Sequence, residues 1–162
     1  MPADNYLQIT GIKGESTDDK HKDWIEILSF NWGVSQMASA SQSTSGGGTS
    51  QRAAFQDLSI VKMMDSASPL LFKACAKGDH LDEVKLELCR AGGDKLTYME
   101  YTLNNVIISS VSVGGGGGGE PTESVTFNYG KIKLNYIKQA RKGGGAAGNV
   151  PAGWDLQINK DF

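Results

Sequence analysis

Cysteine is nearly absent: Cys75 and Cys89 are the only two in 162 residues. No histidine or second cysteine stands near either at metal-ligand spacing, so a disulfide framework and a zinc site both lack support. The two read as small buried or half-buried side chains. Charge of one sign is also missing. Sixteen Lys and Arg against eighteen Asp and Glu leave a net charge of -2, which argues against sequence-independent nucleic-acid binding. No apolar run approaches the ~20 residues of a membrane helix. The start, Met-Pro-Ala-Asp-Asn-Tyr, has no basic stretch leading into an apolar one. The expectation is a chain that folds in the cytoplasm, inserts into no membrane and, if exported, loses no signal peptide.

Catalytic patterns are missing too. There is no Gly-x-Ser-x-Gly elbow and no Gly-Lys-Ser/Thr phosphate loop. The glycine run Gly114–Gly119 contains a G-x-G-x-x-G spacing, but Glu120-Pro121 and a strand pattern follow it. A dinucleotide site needs a helix N-terminus there to receive the pyrophosphate. His21 and His80 stand alone in polar stretches and are expected to be solvated, as are Asp18-Asp19 and Asp82-Glu83 beside their lysines. These absences predict no cofactor, no metal and no enzymatic reaction.

What the chain has in quantity is β pattern and glycine. The 21 glycines cluster at Gly46–Gly48, Gly114–Gly119 and Gly143–Gly145, marking loops. The central stretch is Ser109–Tyr136. Within it Glu123, Val125, Phe127 and Tyr129 share one parity, and after Gly130 the apolar set becomes Ile132, Leu134 and Tyr136. Period two signals a strand, and the change at Gly130 predicts a β-bulge.

Elsewhere, Tyr6–Ile12 alternates as a first strand, and the charged stretch Lys13–Asp23 reads as a solvated loop. Trp24–Ser35 reads as a strand with a bulge at Ile27-Leu28. It sets Leu28, Phe30, Trp32 and Val34 against small polar Ser29, Asn31, Gly33 and Ser35. The stretch 36–52 has no periodicity and is long enough to be a functional arm. Ala54–Met64 reads as the next strand. Ser68 as cap, Pro69 in the first turn, Leu70–Lys77 and Gly78 make the helix signal, with stripes Leu71/Cys75 and Phe72/Ala76. Val84–Arg90 alternates, Ala91–Asp94 is a turn, and Leu96–Val113 is a long strand broken near Asn104-Asn105. The segment 138–153 reads as a basic, glycine-rich connection, and Trp154–Asn159 as a last strand.

Five blocks carry a resemblance. They are Gly11–Asp18 with His21; Phe30–Gln36; Asp65–Leu70 leading to Gly78-Asp79-His80; Arg90–Gly93; and Ser109–Val111 followed by Glu123 and Val125–Tyr129. In this order, over about Tyr6 to Ile158, the chain resembles the haemolysin-coregulated protein (Hcp) family, the inner tube of the bacterial type VI secretion system. Asn31 replaces a serine frequent in that family, and the glycine run is longer than usual.

The resemblance implies a mainly β fold: a β-barrel, or two packed antiparallel sheets, with one short flanking α-helix. It would form a single domain over 1–162, with a long loop at 36–52 and a glycine-rich loop at 114–122. It implies homohexameric rings stacked into a hollow tube. The implied partners are a contractile sheath, a spike trimer and effector proteins carried in the lumen. Ser29 and Asn31 are then expected to face the lumen. Gln36, Ser45, Gly47, Arg52, Gly92 and Gly93 are expected at subunit or ring contacts. The competing expectation is a monomeric β-barrel binding a small ligand or glycan against Trp24, Trp32 and Trp154.

Overall fold

A computed structural model describes residues 4–36, 52–91, 95–139 and 146–162. The elements run β1 (Asp4–Ile9), β2 (Ile25–Ile27), β3 (Ser29–Asn31), β4 (Val34–Ser35), β5 (Ala54–Phe55) and β6 (Leu58–Met63). Then follow α1 (Ser68–Lys77), β7 (His80–Cys89), β8 (Thr97–Gly114), β9 (Thr122–Gln139), β10 (Ala146–Asp155) and β11 (Lys160–Asp161). The chain is mainly β with one helix among the described residues, as the sequence pattern indicates. Nine strands form one antiparallel sheet, and β4 with β5 forms a second.

The long strand β9 organises the sheet. One edge pairs with β8 along nearly its whole length. The other edge is divided: Thr122–Phe127 pair with β6, and Lys131–Gln139 pair with β10. The order β11-β10-β9-β8-β7-β1-β2 curls round until β2 approaches β6, but no ladder joins them, so the barrel stays open. Beside that seam the Leu28 N–H donates to the Val61 carbonyl at 2.7 Å.

The parity change at Gly130 is present, yet no register slip accompanies it. Val106 pairs Tyr129 and Asn104 pairs Lys131, leaving Asn105 opposite Gly130. Asn105 adopts a left-handed φ of 54°. Both strands therefore turn over together: burial passes from Leu103 to Val106 on β8 as it passes from Ile132 to Tyr129 on β9. Asn tolerates left-handed backbone better than other non-glycine residues. A Cβ at Gly130 would lie 3.1 Å from the Asn105 Cβ and 3.2 Å from the Gln157 side chain. The actual register shift lies on β8 between Ile108 and Ser110, where the second parity change occurs. The break expected near Asn104-Asn105 is thus a kink within one continuous strand.

Other expectations are corrected in the same way. Trp24–Ser35 is three short strands, not one. Leu28 sits in the gap and is 58% exposed, while Phe30 and Trp32 pack on the core. Val34, grouped with them by parity, is also exposed, because β4 has left the main sheet for β5. Ala54–Met64 is broken between β5 and β6. From Ala146 on, the supposed connection before Trp154 is strand β10. The strand expected over Trp154–Asn159 stops at Asp155, whose Oδ1 accepts the N–H groups of Gln157 (2.9 Å) and Ile158 (3.3 Å) in a turn that leads to β11.

The core consists of one face of each main strand plus one side of α1. Leu7, Ile25, Leu58, Ile60, Val84, Leu86, Leu103, Val106, Val125 and Phe127 are fully buried, with Leu71 from the helix. The helix stripe is Leu71 and Ala74 with Cys75 at its margin, whereas Phe72 and Ala76 face outward. Ser68 does not cap as expected. Its Oγ accepts the N–H of Asp65 at 3.0 Å, and Asp65 Oδ1 accepts the N–H of Ala67 at 2.9 Å, a reciprocal pair set one turn earlier. Gly78 does close the helix in left-handed conformation, φ 66°.

The paired kink is testable. Asn105→Gly should leave stability within a few tenths of a kcal/mol, whereas Asn105→Val, β-branched in left-handed backbone, should lose about 1–2 kcal/mol. Urea unfolding midpoints of the two variants check this.

Candidate functional surface

Opposite the core, four adjacent strands carry short side chains in register, all polar except Val61. Asn31 pairs Ser59, Ser59 pairs Thr126, and Thr126 pairs Ser110. One step along, Ser29 pairs Val61, Val61 pairs Ser124, and Ser124 pairs Ser112. Directly opposed residues share a face, so Ser29 and Asn31 belong to a continuous small, polar surface, and both are exposed. Hydroxyls and amides knit it together. Thr126 Oγ1 lies 2.6 Å from both Ser109 Oγ and Ser110 Oγ. Asp57 accepts from Ser109 Oγ at 2.7 Å and from Asn128 Nδ2 at 3.0 Å. Side chains pinned to one another present a face of short polar groups with one carboxylate, Asp57.

The tryptophans are committed elsewhere. Trp32 Nε1–H donates to Tyr129 Oη at 2.6 Å, which in turn donates to the Gln56 carbonyl at 2.7 Å. Burial pushes the Tyr129 phenol above its ordinary range, against the Trp32 hydrogen bond. Trp154 packs against the core, and Trp24 meets the His21 ring edge-on at 4.8 Å. None of the three stands as an open stacking platform.

Of the expected contact residues, Ser45, Gly47, Gly92 and Gly93 lie outside the described residues. Gln36 and Arg52 lie at the foot of the 36–52 loop, just beyond the β4–β5 pair, and both are exposed. The structure sets those two at the ends of the β4–β5 pair, in a different sheet from the strand that carries Ser29 and Asn31.

Two buried polar clusters escaped the sequence reading. His21, expected to be solvated, is 1% exposed. Its Nδ1 lies 2.7 Å from Asp18 Oδ2 and its Nε2 2.9 Å from Glu87 Oε2, and the ring stacks on Tyr6 at 4.2 Å. The "solvated" loop 13–23 is therefore folded down over β1 and β7. Gly14 allows this, since a Cβ there would meet the Trp24 carbonyl oxygen at 2.5 Å. Lys95 Nζ joins the cluster, 3.2 Å from Asp18, 3.2 Å from Asp4 and 3.3 Å from Tyr6 Oη. These contacts hold the ammonium above its ordinary range. The Asp18 carboxyl is held below its ordinary range, first by the His21 hydrogen bond and further by Lys95, against the effect of burial. Cys89 lies alongside, Sγ 3.9 Å from His21 Nε2, and burial pushes its thiol up. Both cysteines are free. The other cluster is Lys62, fully buried, whose ammonium meets Asp65 (2.9 Å), Ser68 Oγ (3.1 Å) and Glu123 (3.4 Å). Asp18 and His21 are three apart in the sequence, as are Lys62 and Asp65. That spacing was visible; Glu87 and Glu123 were not predictable partners.

Among the described residues, no group of three His, Cys, Asp or Glu is arranged to hold a metal, and no helix is long and apolar enough to cross a membrane. Residues 6–136 match the family described as type VI secretion system effector, Hcp. The chain is 38% identical over 161 residues, 98% of each chain, to protein hcp1 of Pseudomonas aeruginosa.

The chain belongs to the Hcp family.

Solved structures agree. A type six secretion system protein superposes with a TM-score of 0.92 at 35% identity, covering 99% of this chain and all of that one. Hcp1 from Salmonella typhimurium gives 0.81 at 34%, with full coverage of both. The chain is thus a tube component of the type VI secretion system. The buried clusters brace the Hcp fold around the polar face: Lys62 and Glu123 are cross-strand partners on β6 and β9, on the side of those strands opposite Val61 and Ser124.

Two outcomes follow for these clusters. Lys62→Met leaves Glu123 buried without its partner and should cost about 3–5 kcal/mol, while Lys62→Met with Glu123→Leu should recover most of that loss. Denaturant titration of the cycle measures it. A carboxyl depressed in the folded state stabilises fully above its unfolded value of about 4 and ceases to do so as pH falls through the folded value. The wild type should therefore lose stability on acidification below that region. Asp18→Asn should be less stable at neutral pH and lack that part of the acid limb, read by thermal melts across pH.

Proposed function

We propose that this Hcp chain folds as one domain and closes head-to-tail into a ring of six, and that rings stack into a hollow tube. The observation that carries the reading is an apolar sheet face that outruns its own core. Along β8, β9 and β10 the row Leu103, Ile132, Trp154 is covered. The next row on that face is Tyr101, Leu134, Ala152, and the next Met99, Tyr136, Val150. Covering thins along this series until Tyr136 is 41% and Val150 51% exposed. Such a wing matches the heterologous contacts that close cyclic oligomers, and permanent rings commonly bury ~2,000 Å² or more per interface.

In this reading the polar rows containing Ser29 and Asn31 line the lumen and touch cargo without gripping it. The 36–52 arm, rooted at Gln36 and Arg52, bridges neighbouring subunits, with Ser45 and Gly47 in its reach and Gly92 and Gly93 at a further contact. The tube sits inside a contractile sheath beneath a spike trimer and carries effector proteins outward. The chain folds in the bacterial cytoplasm and leaves without a cleaved signal. Its work is mechanical, with no bond made or broken.

Size-exclusion chromatography with light scattering and negative-stain microscopy should return six-fold annuli from the purified chain. Monomers across salt conditions would overturn the ring. Tyr136→Lys with Val150→Asp should shift the population to monomer, a loss of about 2 kcal/mol or more per anchor, with the β signal in circular dichroism unchanged.

A further inference from the structure

The polar face holds a pocket. Two residues past Thr126 on β9, Asn128 lies on the same face. The pairs His80 with Ile107 and Ile107 with Asn128 carry that row across β7, β8 and β9. The turn after β10 rises beside it: the Leu156 N–H donates to the Gly130 carbonyl at 2.8 Å, and Asn105 Nδ2 donates to Gln157 Oε1 at 3.3 Å. Between turn and row the pocket measures about 510 Å³. Ile107 and Leu156 supply its apolar surface, and His80, Asn105, Asn128 and Gln157 its polar groups.

Among the described residues, no carboxylate, ammonium or guanidinium lines this pocket. Asp57, next to it, is engaged by Ser109 Oγ and Asn128 Nδ2. A charged ligand would lose water here with no counter-charge in exchange. Three primary amides remain, each carrying donors and an acceptor. Asn105 and Gln157 use one group each on one another, and Asn128 uses its Nδ2 on Asp57. Oδ1 of Asn105, Oδ1 of Asn128 and Nε2 of Gln157 are left with no hydrogen bond to a described residue, and all three side chains are exposed. A peptide group is the uncharged match: its C=O accepts from the Gln157 amide, and its N–H donates to the Asn128 or Asn105 oxygen.

We infer that this pocket binds an extended stretch of cargo polypeptide through its main-chain peptide groups, with Asn128 and Gln157 as the principal contacts. The inference deepens the proposed function and rests on its reading of the polar face as the lumen wall. Main-chain recognition reads no side chains, so one site accepts cargoes unrelated in sequence. It also restricts the bound stretch. Backbone groups already paired in a cargo helix or sheet are not available, so the stretch is a loop, a terminus or an unfolded segment. One or two exposed hydrogen bonds hold weakly. Repetition of the site around a ring and along a tube turns weak contacts into retention, and cargo is freed when the tube comes apart.

The test uses the full-length chain and an uncharged probe, an acetylated and amidated peptide of alternating alanine and serine. Saturation-transfer NMR should show saturable binding. Methylating every peptide nitrogen of the probe should weaken binding about tenfold, as should Asn128→Ala with Gln157→Ala in the protein. Replacing the probe's alanines by valine should change it by less than about threefold. Circular dichroism reports folding, and Gln157→Ala alone, on an exposed turn and expected to weaken binding by itself, serves if the double variant misfolds. No binding of the probe, or unchanged affinity for the methylated probe or in the variants, overturns the pocket. A gold-labelled probe should place its gold in the central hole of negatively stained annuli, and gold at the outer rim overturns the assignment to cargo. If the chain forms no annuli, the ring reading fails, and the titration alone decides whether the pocket binds main chain.

Discussion

Strand β9 has two edges and three strands to satisfy. β8 takes one edge outright, and β6 and β10 divide the other at Gly130. Everything else in the molecule follows from that division. The half paired with β6 belongs to the curled, filled part of the sheet, and the half paired with β10 projects past it. A strand can serve both only by turning its apolar side over midway. It does so opposite Asn105, whose left-handed backbone lets β8 turn over at the same point without a slip in pairing. A bulge on one strand alone would have shifted every downstream pair.

The projecting half gives an Hcp chain a filled core beside an uncovered apolar edge. Its core is filled by Phe127, Leu103, Leu86 and their neighbours. Its wing continues the apolar face to Tyr136 and Val150, which are exposed. A protein whose task is to repeat needs surfaces of this kind. On the other face, the short polar rows through Asn31 and Ser29 include hydroxyls that hydrogen-bond one another, as Thr126 does with Ser109 and Ser110.

The buried clusters have a different part. A fully buried lysine with three acceptors and a buried imidazole between two carboxylates contribute little net stability compared with well-packed apolar groups. Each, however, penalises any arrangement that separates its members. Lys62 with Glu123 fixes the register of β6 on β9, and His21 with Glu87 fixes the 13–23 loop on β7. Specific placement of loops and register is what a repeating interface requires.

Strand alternation, glycine placement and the Pro69–Gly78 helix were legible because they depend on neighbours in the chain. The small polar parity of Ser29 and Asn31 and the turnover at Gly130 were legible for the same reason. Five ordered blocks also carried the family. Leu28 and Val34 were misplaced because parity says which residues share a face only while a strand persists, and this one breaks twice. His21 was misjudged because its decisive partner is 66 residues away on β7. Periodicity is local and was set by the amino-acid order alone. Which face is covered, which charge finds a partner and which edge stays open depend on contacts between distant segments, and those were decided only when the sheet curled.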